Sequence, residues 1–395
     1  MKDIVVAGAG CAGLSVALAL LERGVRARIV LVDPRTRFER DRTWCHFELE
    51  PHRFSAAVTH RWNRVRIAHP AGTRTLRVAR TPYCHLPADA VYRAALDRLA
   101  RAPNVSLRLG ERVLEIEDRA GAPACVRTDR GELRADLVFD SRPVRPPSAP
   151  GDLVQSFAGW FVRTDLPVFD PRTATLMDLR VPQQGGVHFI YVLPFSETEA
   201  LVEDTWFASQ PLPIERHETF VADWLAAAGV HGYSVLAREQ GVLPMARSPF
   251  TLQPSPRVVH VGLRGGAARP STGYAFVAIQ RHASALAAWV ARGMATGRWG
   301  AAPAPRAAHV GWLDRVFLAR LTAHPERGAE LFHRLFARVP SDRLVRFLSE
   351  SFSVRDALSV MMALPFGPFA RQALRELAPR STATLAPRAD RTSWP

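Results

Sequence analysis

The chain opens on Ile4-Val5-Val6-Ala7-Gly8-Ala9-Gly10-Cys11-Ala12-Gly13, and no other feature limits its fold as strongly. A β-branched run leads into three glycines, and an alanine- and leucine-rich stretch follows. Twenty positions beyond Gly13, Asp33 closes a second apolar run, Ile29-Val30-Leu31-Val32. Strand, glycine turn, helix, strand and terminal acid, in that order, form the unit that binds a dinucleotide. Gly8 permits the tight turn, Gly10 lets the backbone approach a pyrophosphate, and Gly13 lets helix and strand pack closely. The helix N-terminus directs free N–H groups and partial positive charge at the phosphates. Asp33 is placed to accept hydrogen bonds from a ribose.

Other runs extend this unit. Asp136-Leu137-Val138-Phe139-Asp140 and Val258-Val259-His260-Val261-Gly262 read as buried strands, expected to share one parallel sheet with residues 4–8 and 29–32. Segments 64–67, 75–78, 105–109, 112–116 and 157–162 also read as strands. Val187–Leu193 and Glu199–Glu203 flank a hairpin turn. Residues 87–102, 215–228 and 274–291 read as helices, with Val91, Ala95 and Leu99 at helical spacing. The 395 residues suffice for two or three domains.

The expected fold is α/β: a Rossmann-type FAD-binding domain, a β-rich substrate domain inserted into it, and a helical C-terminal region. The first is discontinuous, over 1–50, 85–150 and 255–300, and the insertion covers 51–84 and 151–254. The helical region covers 301–375, and 376–395, rich in Pro, Thr, Ser and Arg, reads as a flexible tail. This interrupted layout is typical of flavoproteins. Gly262, Gly265 and Gly266 would then pass near the flavin, and the next helix would aim its N-terminus at the flavin N1–C2=O edge.

The net charge is +15 and comes mostly from arginine. Arginine-rich composition without a special role, an anionic membrane surface and nucleic acid are the three readings. Near an anionic membrane each basic group gains about 1 kcal/mol. No helix-turn-helix, zinc-finger or RNA-binding signature is recognisable, so no nucleic-acid partner is expected. Cys11, Cys45, Cys84 and Cys125 are scattered and form no CxxC, which suggests neither a disulfide framework nor a metal site. His46, beside Cys45, reads as structural or pocket-lining. No apolar run approaches a bilayer span, and nothing before Ile4 resembles a secretory signal. A cytoplasmic location with peripheral membrane contact is expected.

With these segments in place, the chain resembles the bacterial lycopene β-cyclases from Ile4 to about Leu364. The resemblance rests on Arg42-Thr43-Trp44-Cys45-His46-Phe47, Leu176-Met177-Asp178, Phe189-Ile190-Tyr191-Val192-Leu193-Pro194-Phe195-Ser196 and Ala200-Leu201-Val202-Glu203-Asp204-Thr205. Gly241-Val242-Leu243-Pro244, Gly262-Leu263-Arg264-Gly265-Gly266 and Pro270-Ser271-Thr272-Gly273-Tyr274 complete it, and add Gly273 to the expected cofactor site. Arg269 and Pro143 stand where relatives often have histidine and glycine, which bears on end-group specificity. The resemblance implies a cyclase that turns the acyclic ψ-ends of lycopene, or a related acyclic carotenoid, into β-ionone rings. It also implies reduced FAD, NAD(P)H as reductant, and other carotenoid-biosynthesis enzymes as candidate partners.

Such a ring closure starts with proton addition at C2 of the terminal alkene. The C5=C6 alkene attacks the resulting C1 cation, and loss of the C6 proton from the C5 cation gives the β-ring. An alkene is a very poor base, so the acid must stay protonated in a dry pocket. Adjacent Glu203 and Asp204 point to opposite faces if they lie on a strand. Glu203 matches the first acid of the family's Glu-Asp-Thr block and is the expected acid. Asp204 is expected to affect geometry more than proton delivery. Asp178 is the second candidate, either tuning Glu203 or taking the C6 proton, since neighbouring carboxyls cannot both ionise easily. Trp44, Phe189, Tyr191 and Trp206 are candidate aromatic neighbours of a cation.

Residues 312–347 interleave Trp312, Phe317, Phe332, Phe336 and Phe347 with Arg315, Arg320, Arg334, Arg338 and Arg346, and a short apolar stretch, Met361–Phe366, follows. They suit an interfacial helix or an amphipathic unit packed on the body. A flavin monooxygenase of the aromatic-hydroxylase type is the alternative enzyme class, and a basic nucleic-acid-binding protein the alternative of another class.

Overall fold

The strand Asp3–Ala7 is apolar on both faces and forms the middle of a five-stranded parallel sheet. A computed structural model describes residues 3–143 and 149–377. Across that sheet the strands run Val258–His260, Leu137–Asp140, Asp3–Ala7, Arg28–Asp33 and Val105–Leu109. Ile4 and Val6 pack on the helices Cys11–Glu22, Ala88–Ala100 and Phe276–Thr296. Val5 and Ala7 pack on a three-stranded antiparallel sheet of residues 113–117, 124–128 and 131–135. Apolar side chains on both faces are what a sheet covered twice requires.

The second large sheet has seven strands, in the order Tyr233–Met245, Leu153–Thr164, Glu199–Ala208, Val187–Pro194, Thr173–Asp178, Arg64–His69 and Gly72–Arg77. Its two faces have different covers. Ile190, Val192, Ala200 and Val202 pack under the helix Ile214–Ala227, whereas Phe189, Leu193, Leu201 and Phe207 pack under helices of the C-terminal region. That region comprises Ala308–Ala323, Gly328–Arg338, Ser341–Leu348, Val354–Ala363 and Phe366–Leu377. Ser353 and Asp356 cap the fourth of these reciprocally.

A small sheet of Thr43–Phe47, Tyr83–Pro87 and His60–Trp62 straddles the boundaries expected at 50/51 and 84/85. The polar Thr43–Phe47 segment is a strand through its pairing with Tyr83–Pro87. The last helix takes in 376 and 377, which were expected in the tail. The rest of that tail, 378–395, and residues 144–148 lie outside the described residues.

Candidate active site

The carboxyl end of the parallel sheet opens onto a cavity of about 1270 Å³. A pocket for one small ligand measures roughly 300–1,000 Å³, so there is room for a cofactor and a substrate together. Gly8, Gly10, Asp33, Arg35, Arg112 and Arg142 line one end. Gly8 has φ +100°, the left-handed region that a tight turn into the helix needs. A Cβ on Gly13 would collide with the Gly8 carbonyl, whereas one on Gly10 would meet no atom within 4 Å. The helix Cys11–Glu22 begins without a side-chain cap and with no acid in its first turn. Its free N–H groups therefore face an open cradle suited to a pyrophosphate. One Asp33 oxygen accepts the Ala9 N–H at 2.6 Å, and Arg35 holds the other at 2.9 Å. The residues present fit a bound FAD.

The middle of the cavity holds two glutamates. The sheet register places Glu239, Gly159, Glu203 and Tyr191 side by side across four strands, on one face. Gly159 has no side chain to separate its neighbours, and a Cβ there would stand 2.9 Å from the Cβ of Glu203. The two carboxyls are close enough for Glu239 to act on the ionisation of Glu203. Thr205 donates to Glu203 at 3.1 Å, and Thr43 donates to Glu239 at 2.8 Å. Both glutamates are buried and line the cavity. Burial, and then the Glu239 carboxylate, push Glu203 well above the carboxylate range. Burial raises Glu239 to about 7, against the opposing pull of Thr43, Arg40 and Arg42. Both shifts favour a protonated carboxyl inside the cavity.

Asp178 is not part of it. Its row is Asp178, Ile190, Asp204 and Ala158, on the opposite face of the sheet. Arg180 and Trp224 bond its carboxylate and outweigh burial, holding it below the ordinary range, so it is neither an acid nor a neighbour of Glu203. Asp204 also faces away and is fully buried. Its two oxygens bond His188 Nε2 and His217 Nδ1, and His217 Nε2 lies 3.2 Å from Ser156 Oγ. That network ties the helix Ile214–Ala227 to the sheet.

Gly262, Leu263 and Gly273 line the cavity, but Gly265 and Gly266 do not. Two turns, Gly265 N–H to Gly262 C=O and Gly266 N–H to Leu263 C=O, carry the latter behind the loop against His260 and Phe250. Trp44, Phe189 and Tyr191 line the cavity, whereas Trp206 stacks on His188 across the sheet. Tyr83 and Tyr191 join hydroxyls at 2.9 Å beside the glutamates. Arg269 is buried, pairing with Asp314 at 3.1 Å and capping the Phe347 ring, so it fastens this loop to the C-terminal helices. The far end of the cavity is aromatic and aliphatic, with Phe317, Phe332, Phe336, Phe347, Leu364 and Phe369. Among the described residues, no group of three His, Cys, Asp or Glu could hold a metal ion.

By fold, this is an α/β protein of the kind found among FAD-dependent oxidoreductases and monooxygenases. Similar solved structures include a geranylgeranyl bacteriochlorophyll reductase-like protein from Thermoplasma acidophilum, at TM-score 0.63 and 14% identity over 95% of this chain and 100% of that one. A flavoprotein/dehydrogenase from Cytophaga hutchinsonii also scores 0.63, at 15% identity over 94% and 98%. The chain belongs to the lycopene cyclase family, whose model, described as lycopene cyclase protein, matches residues 3–374. The lycopene beta-cyclase of a Paracoccus strain is 29% identical, over 92% of this chain and 94% of its own length. That of Pantoea ananas is 28% identical over the same shares. Neoxanthin synthase of Solanum tuberosum is 25% identical over 75% of this chain and 62% of its own length.

Proposed function

We propose that this carotenoid cyclase is a lycopene β-cyclase that forms γ-carotene and then β-carotene. The observation that carries the reading is a buried Glu203, whose carboxyl burial pushes well above the ordinary range, in an apolar cavity continuous with a dinucleotide cradle. Bacterial β-cyclases match almost end to end, which favours β-ring closure over the chemistry of the neoxanthin synthases.

Glu203 delivers a proton to C2, the cation moves to C5 on ring closure, and the C6 proton leaves. No electrons are transferred overall. The Gly8–Gly13 turn and Asp33 hold FAD, with Gly262 and Gly273 on the cavity wall nearby. When bound and reduced with NAD(P)H, FAD supplies negative charge that stabilises a nearby carbocation without giving up a hydride. Trp44, Phe189 and Tyr191 exclude water and offer aromatic faces.

The substrate enters from a membrane. Val354, Leu358, Met361, Met362 and Phe366 are exposed on the last two helices, and Met361 and Phe366 also line the cavity. An apolar patch at the cavity mouth suits a protein docked peripherally on the cytoplasmic side of a bilayer. The test uses purified protein with reduced FAD, lycopene liposomes and no oxygen. Lycopene should become β-carotene of equal mass, with no net NAD(P)H consumed per ring. A product heavier by one oxygen, or no flavin binding, contradicts the reading.

A further inference from the structure

The two glutamates over Gly159 are not equivalent. Glu239 faces Thr43, Arg40 and Arg42, which favour its anion, with Asp41 the acidic group nearby. Glu203 faces Thr205, Tyr191 and Cys45, with Asp204 behind the strand, and none of these is a cation. Among the described residues, no ion pair holds Glu239 in the way that Arg180 holds Asp178. Its hydrogen-bond donor is a neutral hydroxyl, and its carboxyl opens onto the cavity.

We propose that Glu239 is the base of the reaction: it takes the proton that leaves C6 and returns it to Glu203 for the next ring. The inference rests on Glu203 being the acid. The resting pair holds one proton, on Glu203, and one negative charge, on Glu239. Proton transfer to C2 forms a C–H bond, breaks the Glu203 O–H bond and leaves two carboxylates facing the carbocation. The C6–H bond then breaks, its electron pair forms the ring alkene, and the proton goes to Glu239. Repulsion between the carboxylates favours that uptake, and proton passage across the pair restores the resting state. One proton enters the substrate, one leaves, and no co-reactant is needed.

A C5 cation has protons to lose at C6, C4 and the C5 methyl group, so the position of the base decides the ring isomer. The test compares the parent, Glu239→Gln, Glu239→Asp and Glu203→Gln, with lycopene in liposomes and rates normalised to bound flavin. Glu239→Gln should lower turnover about a hundredfold, within the range of a lost general base. Its residual product should have the parental mass but include rings whose double bond lies outside the conjugated chain, as absorbance and chromatography would show. The parent should lose activity below pH about 7, where Glu239 takes up a proton, and this acid limb should be missing in Glu239→Gln. Glu239→Asp keeps a carboxyl and should keep β-rings at a reduced rate. If Glu239→Gln makes only β-rings at the parental rate while Glu203→Gln is impaired, the proposal fails and the acid stands. If Glu203→Gln is also unimpaired, the reading of the acid fails with it.

Discussion

At the scale of single residues, the site is governed by desolvation. Burial raises both glutamates, and the Glu239 carboxylate raises Glu203 further. The same shift affects stability. Glu239 goes from the ordinary 4.5 to about 7, so the folded state holds this proton more tightly than the unfolded chain. That contribution is complete below pH about 4.5 and is lost as the pH rises through 7. It amounts to on the order of 3 kcal/mol. Glu239→Gln carries no such proton. Its thermal midpoint should match the parent's near pH 4.5 and lie above it at pH 8, and parallel melting curves would show no such divergence if the carboxyl were well solvated. Glu203 was picked out through the resemblance to the family's Glu-Asp-Thr block, because an apolar run before two acids fits a solvated strand end equally well. Glu239 was not, because Arg238-Glu239-Gln240 reads as a solvated run. Only the register through Gly159 brings it 36 positions back to Glu203.

At the scale of elements, short-range signals were the readable ones. The strands 4–8, 29–32, 137–140 and 258–262 do share one parallel sheet, because runs apolar on both faces fit nothing else. The strand Tyr233–Met245 was missed, since it lies at the sheet edge and lacks clean alternation. For residues 312–347 the sequence left two readings, an interfacial helix or an amphipathic unit packed on the body. Phe332 and Phe336 are buried, and Phe317 and Phe347 turn into the cavity, while Arg315, Arg334 and Arg346 bond to neighbouring helices of a packed unit. The exposed apolar residues come later, on Val354–Ala363 and Phe366–Leu377. Met362→Glu combined with Phe366→Glu should therefore weaken sedimentation with anionic liposomes while leaving flavin content unchanged. Undiminished binding would move the membrane contact elsewhere.

At the scale of the whole molecule, one cavity joins three chemistries that the sequence keeps far apart. The glycine cradle comes from the first 13 residues, the acid pair from the middle of the chain, and the aromatic wall and mouth from residues beyond 310. Among the described residues no helix is long and apolar enough to cross a membrane. Arg269, bonded to Asp314 between the cofactor loop and the C-terminal helices, helps keep the wall and the cradle in one frame. In the proposed cyclisation, Glu203 starts the reaction by giving up a proton. The most direct test of this role is the single-turnover rate of ring closure by Glu203→Gln against the parent, at equal flavin occupancy and in the same liposomes. Loss of the proton donor should lower that rate by about a hundred- to ten-thousandfold, with flavin binding retained. A Glu203→Gln protein that closes rings at nearly the parental rate would contradict the account.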